Sequence, residues 1–179
     1  QQLVAPFEYY ATADDTDFSS VRWNRAEETS QLDHLISSNT VRSRTVTHAL
    51  EKYVADFASL KGIVFCVSVA HARFMADWFN KSGISTESLT GTNTSLERQN
   101  SINRLRSGEI KLICTCDLFN EGVDIPEVNT LLLLRPTQSP VVFQQQIGRG
   151  LRLADGKDSC LVLDFVGQYN SEFRFDTLL

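Results

Sequence analysis

The stretch KGIVFCVSVAHARFMADWFNKSGISTESLTGTNTSLERQNSINRLRSGEIKLICT, residues 61–115, decides the fold class. It opens on GIVFCVS, an apolar run of strand length without polar alternation. VAHARFMADWFNKSG follows with apolar residues at helical intervals and Gly83 to close the helix. ISTESLT reads as a short strand. SLERQNSINRLRSG reads as a second helix capped at Ser95 and stopped at Gly108, and IKLICT as a further strand.

Working outward, VNTLLLLRP is a strand, Pro140 to Leu151 a helix, and SCLVLDFVG a strand. Near-continuous apolar strands alternating with helices imply an α/β fold, a parallel β-sheet with helices on both faces. Ligands of such sheets bind beyond the carboxyl ends of the strands. The small polar residues there form a series: Ser68, then Thr90 and Gly91, then Thr115 to Asp124, then Arg135 to Ser139. One such residue would mean little, because turns favour Ser, Thr and Gly; several at consecutive strand ends suggest a track along one rim.

Residues 1–60 are less regular. PFEYYAT reads as a strand, ADDTDFSS as an acidic turn region, and EETSQLDHLIS and RTVTHALEKYVADFASL carry helical spacing. This is a lead-in segment, and no function is assigned to it; Arg42 and Arg44 could meet a phosphate, but they fit a solvated helix start better. The chain begins at Gln1 rather than at methionine, which suggests a piece of something longer.

Of 179 residues, 42% are hydrophobic and 22% charged, an ordinary globular composition with one core-forming domain. The longest apolar runs are strand-sized, so no membrane span or signal-peptide core is expected, and we read the chain as soluble. A net charge of −5 argues against holding nucleic acid by bulk electrostatics and leaves room for a local basic groove. The cysteines, Cys66, Cys114, Cys116 and Cys160, sit in strand-like surroundings. Cys114-x-Cys116 is the wrong spacing for a zinc knuckle, so free thiols in a reducing cytoplasm and no metal site are expected.

Two further stretches carry chemistry. FQQQIGRGLRL, residues 143–153, sets Arg149 and Arg152 three residues apart, so that on a helix both guanidinium groups leave one face, with Gln145 a turn earlier. Gly148 and Gly150 let a flat, charged ligand approach the backbone. A polyphosphate suits two always-protonated forks; a solvated or salt-bridged helix face suits these eleven residues in isolation as well. In TCDLFNEGVDIP, Gly122 gives backbone freedom and Asp124 can accept from a sugar hydroxyl, although a plain turn ended by Pro126 fits too.

Taken together and in order, these stretches resemble a known family. From about Lys61 to Gly167 the chain is similar to the second RecA-like lobe of superfamily 2 helicases and translocases, particularly the branch with the Res subunits of type III restriction enzymes. GIVFCVSVAHA looks like motif IV, TCDLFNEGVDIP like motif V, and QQIGRGLR matches the motif VI pattern Gln-x-x-Gly-Arg-x-x-Arg. The resemblance implies that Arg149 and Arg152 reach ATP across an interlobe cleft, one of them as an arginine finger. It implies that Gln145, Gly148, Gly122 and Asp124 line the nucleotide. Ser68, Gly91, Arg98 and Thr115 fall where the family touches the backbone of one nucleic-acid strand.

The chain also departs from that pattern. Motif VI opens on Gln145 rather than the His of DEAD-box RNA helicases, which favours DNA as the nucleic-acid partner. No phosphate-binding loop occurs; the nearest fragment, DGKDS at residues 155–159, lacks the first glycine, and no DEAD- or DEAH-type box is present. ATP and Mg²⁺ are therefore expected mainly on an upstream RecA-like lobe of the same polypeptide, with residues 61–179 as the second lobe. This chain alone is expected not to hydrolyse ATP. Two alternatives stand beside an unwinding motor: a translocase that moves on duplex DNA without separating strands, and a non-catalytic binding module of the same fold.

Overall fold

The first described strand pairs with the last. In the computed structural model, which describes residues 7–11, 40–116, 125–135 and 160–165, β1 (Phe7–Ala11) lies parallel to β6 (Cys160–Asp164), with Phe7 opposite Cys160 and Ala11 opposite Asp164. Between them in sequence come α1 (Thr40–Tyr53), β2 (Gly62–Phe65), α2 (Val69–Lys81), β3 (Thr86–Leu89), α3 (Ser95–Ser107), β4 (Leu112–Thr115) and β5 (Thr130–Leu133). The six strands form one sheet in the order β1-β6-β5-β2-β4-β3. Every pairing is parallel, as the alternation of apolar strands with helices requires.

Strand side chains alternate between two cores. Ile63, Phe65, Ile113, Leu131, Leu133 and Val162 point to one face, where Ile102 and Leu105 of α3 meet them. Val64, Cys66, Leu112, Cys114, Leu132 and Leu163 point to the other, covered by α1 and α2. On α1 the buried residues Val46, Ala49 and Leu50 fall at helical spacing, as do Ala72, Met75, Ala76 and Phe79 on α2. Leu50 and Phe79 are wholly buried, and side chains of this kind contribute roughly 1.5–3 kcal/mol each.

Gly62 shows how closely the strands approach one another. A Cβ there would lie 2.6 Å from Leu112 Cδ2 and 3.3 Å from Thr130 O, so a side chain at position 62 would have to displace Leu112 and press on the Thr130 carbonyl.

The helix ends follow local chemistry. Ser68 caps α2, its hydroxyl accepting from the His71 N–H at 3.0 Å. α3 is capped one residue earlier than expected from the sequence, at Thr94 rather than Ser95. Thr94 Oγ1 accepts from the Glu97 N–H at 3.1 Å while Glu97 Oε2 accepts from the Thr94 N–H at 2.8 Å, a reciprocal capping box. Gly108, with φ of 84°, ends the helix in the left-handed region.

The division drawn at residue 60 falls between α1 and β2. α1 nevertheless packs in the same core as the strands that follow, and β1 is a strand of the same sheet. Arg42 is a correction to the reading of this region. It is not at a solvated helix start but only 4% exposed, and its Nη2 donates to Leu134 O at 3.0 Å and Phe165 O at 3.1 Å. Carbonyls at buried strand ends need donors, and this guanidinium supplies two.

All four cysteines are free thiols. Cys66, Cys114 and Cys160 are buried, and Cys116 is half-buried. Burial pushes the Cys114 thiol well above its ordinary value, and a hydrogen bond with the Cys66 thiol raises it further, so Cys114 stays neutral and unreactive.

Candidate functional site

Because the strands are all parallel, their carboxyl ends share one rim of the sheet, and neighbouring strands bring the sequence-derived candidates side by side. Phe65 at the end of β2 and Leu89 at the end of β3 both flank Thr115 at the end of β4. Just beyond, the Cys66 N–H donates to Thr115 O at 2.7 Å, so the β2 exit stays zipped to β4 up to the start of α2. Ser68, Gly91 and Thr115 therefore mark three adjacent exits.

They are not equally presented. Ser68 and Val69 are half-buried and Ala70 is exposed at the first turn of α2, where backbone N–H groups and the helix dipole favour an anion. His71, wholly buried, fixes this turn: its Nδ1 accepts from the Val67 N–H at 3.0 Å. Gly91 is exposed and Arg98 half-exposed. Thr115 is completely buried, backbone included, and its carbonyl is taken by the Cys66 N–H, so the structure does not present it on the rim as the sequence reading expected.

The loop carrying Gly91 is shaped by its own side chains. Asn93 Oδ1 accepts from the Thr90 N–H at 2.8 Å, Thr90 O accepts from the Asn93 N–H at 3.0 Å, and the Thr90 and Thr92 hydroxyls meet at 2.8 Å. The capping box then joins the loop to α3. Glu97 takes a backbone hydrogen bond from Thr94 and a side-chain one from Asn93, and these hold its carboxyl below the usual carboxylate range. Sequence inspection missed this loop structure, although the pattern Thr94-x-x-Glu97 carries it.

Gly122, Asp124, Gln145, Gly148, Arg149 and Arg152 lie outside the described residues. The structure does describe where their segments begin. Cys116 follows β4 and precedes 117–124; Leu134 and Arg135 follow β5 and precede 136–159. Arg135 is exposed, and its Nη1 donates to Cys116 O at 3.3 Å. Among the described residues no group of three or more His, Cys, Asp or Glu side chains could hold a metal ion, and no helix is long and apolar enough to cross a membrane. The described strand ends root the two segments expected to meet the nucleotide.

A parallel sheet with this rim defines a RecA-like lobe, and comparison with known proteins gives the family. Residues 45–154 match the model of the helicase conserved C-terminal domain, and the chain belongs to that family, the second lobe of superfamily 2 ATP-dependent helicases. It is 40% identical to IRC3, a candidate ATP-dependent helicase of Saccharomyces cerevisiae, over 61% of this chain and 16% of that protein. It is 33% identical to the candidate mitochondrial ATP-dependent helicase irc3 of Schizosaccharomyces pombe, over 82% of this chain and 25% of that one. With the type I restriction enzyme EcoKI endonuclease subunit of Escherichia coli it shares 30% identity, over 76% of this chain and 13% of the relative. The chain thus spans a quarter or less of the length of these relatives. Among solved structures, the RNA helicase Prp28 of Chaetomium thermophilum bound to ADP superimposes with a TM-score of 0.66 at 19% identity, covering 99% of this chain and 36% of that one, a likeness of fold.

Proposed function

We propose that this lobe completes the ATPase site of a DNA-directed motor whose first RecA-like lobe lies upstream in the same polypeptide. ATP and Mg²⁺ sit on that first lobe and supply the phosphoryl-transfer chemistry. Arg149 and Arg152 enter the cleft from this lobe, one of them as an arginine finger that neutralises charge developing on the phosphoryl group. Gln145 and Gly148 complete the nucleotide-facing turn, and Gly122 and Asp124 lie along the sugar and phosphates. Because the arginines hold the nucleotide only when the lobes are closed, binding favours closure and hydrolysis releases it.

On the other part of the rim, the first turn of α2 at Ser68, the exposed Gly91 and the Arg98 guanidinium bind one strand through its phosphates, while the buried Thr115 holds the β4 exit to β2 beneath them. Contacts of this kind are independent of base sequence. DNA is favoured over RNA because Gln145 opens motif VI and because a named relative is a restriction endonuclease subunit. Four free thiols suit a reducing compartment, whether cytoplasm or, as in the name of the fission-yeast relative, mitochondrion.

The observation that carries this reading is the coincidence of two things on one rim. The family match spans residues 45–154, and within it the strand exits that root motifs V and VI stand beside those bearing Ser68 and Gly91. The test is the DNA-stimulated ATPase of the full-length protein carrying Arg149→Ala, with ATP and DNA binding measured in parallel. Turnover is expected to fall by about 10³ or more while both ligands still bind. Unchanged turnover would make Arg149 a structural residue. A wild-type protein without ATPase would leave the binding-module reading.

The relative among type I restriction enzymes favours a second reading, translocation along intact duplex. Triplex displacement without strand displacement would select it over unwinding.

A further inference from the structure

Two arginines tie together the strand exits from which the nucleotide-facing segments leave. Along the rim the strands run β6-β5-β2-β4. From beneath, the buried Arg42 of α1 donates through one nitrogen to Leu134 O and Phe165 O, the carbonyls one residue past β5 and β6. The next residue after Leu134 is Arg135, whose guanidinium donates to Cys116 O, one residue past β4. The β5 exit is therefore anchored on one side to β6 and on the other, across β2, to β4.

Cys116 and Arg135 are also the last described residues before segments 117–124 and 136–159, which carry Gly122 and Asp124 in one case and Gln145, Gly148, Arg149 and Arg152 in the other. Both segments must meet the same nucleotide in the proposed site, so any error in the separation of their roots is carried to the reacting groups. We infer that Arg135 is a positioning residue for ATP hydrolysis: its bond to Cys116 O sets the spacing between the roots of the motif V and motif VI segments, and Arg42 holds the β5 end of that link in place.

An arginine suits this task because its fork is always protonated, and a charged donor to a carbonyl is stronger than a neutral one. Arg135 is exposed, so its removal leaves no cavity. That separates positioning from core stability. It does not by itself separate positioning from a direct grip on DNA phosphates, which an exposed cation on this rim would also suit, and the experiment is chosen to do so.

The inference rests on the functional reading above, and its test uses the full-length protein with Arg135→Ala, Arg135→Lys and Arg149→Ala side by side. For Arg135→Ala, kcat of the DNA-stimulated ATPase is expected to fall about tenfold or more, since misplacing reacting groups by about 1 Å costs up to roughly a hundredfold. The melting temperature and the affinity for DNA are expected to stay at wild-type values, with KM for ATP little changed. Arg135→Lys should recover part of the loss, because an ammonium can still donate one bond to Cys116 O. Unchanged kcat in Arg135→Ala, with Arg149→Ala inactive, overturns the brace and leaves the motor reading standing. A loss confined to DNA affinity overturns it in favour of a direct grip. Absence of ATPase from the wild type removes the functional reading and the brace with it.

Discussion

Asn80 and Thr86 pair as two strand residues would. Asn80 Nδ2 donates to Thr86 O at 2.9 Å, and Asn80 Oδ1 accepts from the Thr86 N–H at 2.9 Å. Thr86 begins β3, which stands at the end of the strand order. A side-chain amide from the last turn of α2 thus satisfies backbone groups that meet no strand among the described residues, and it fixes β3 against the helix before it. Asn80→Ala is expected to cost about 1–2 kcal/mol, because it leaves a partly buried N–H and C=O unpaired. Urea unfolding of the wild type and variant measures it; a loss under about 0.3 kcal/mol would mean that water replaces the amide without penalty.

Gly62→Ala tests the close approach of β2 to its two neighbours. The added methyl meets Leu112 Cδ2 in a wholly buried position and presses on the Thr130 carbonyl. Overpacking of this kind costs about 1–3 kcal/mol, so the midpoint of thermal unfolding should drop by several degrees. A variant as stable as wild type would show that Leu112 turns away freely.

The loop before α3 makes a pH-dependent contribution. The carboxyl of Glu97 is held below its ordinary value by the hydrogen bond from the Thr94 N–H and then by that from Asn93. A group depressed on folding stabilises the native state above its unfolded-state pKa, and the contribution is lost as pH falls through the folded-state value. Glu97→Gln should therefore reduce stability near neutral pH and converge with the wild type in acid. Thr94→Ala removes the other half of the box and is expected to cost about 1 kcal/mol. A Glu97→Gln difference that is constant from pH 7 to 3 would contradict the assignment.

Arg98 offers a test of the rim as a phosphate track. If its guanidinium neutralises one phosphate, Arg98→Ala weakens DNA binding by the full-length protein to the same degree on any sequence. The slope of log affinity against log salt should also become shallower by about 1. An unchanged slope would place Arg98 off the nucleic-acid path.

Much of this architecture could be read from the residues. GIVF, LICT, TLLL and CLVLD each hold at least three successive apolar residues bounded by turn signals, as strands of a sheet buried on both faces do, and the observed strands lie within the runs read from sequence. The glycine after α3 stopped the helix as expected. Strand order was not legible, since it depends on crossovers that leave no local mark. Nor was the fate of Arg42: an arginine in a polar helix start looks solvated until the carbonyls it serves, 92 and 123 residues away, are known. Of the site, the rim could be inferred from the residues following each strand. The burial of Thr115 could not, because alternation alone does not say how far a strand end sits beneath its neighbours.

The pairing of β1 with β6 has a consequence for how the molecule is made. The register Phe7 to Cys160 can close only after the last strand has been synthesised, whereas β2, β4 and β3 can assemble from residues 62–115 alone. During translation the segment bearing Phe7 must wait, and closing so long a loop is slow because its entropy is lost before any contact forms. Nascent chains halted before residue 160 would leave the segment bearing Phe7 unpaired and open to proteases, and emergence of Asp164 from the ribosome would be the step that protects it.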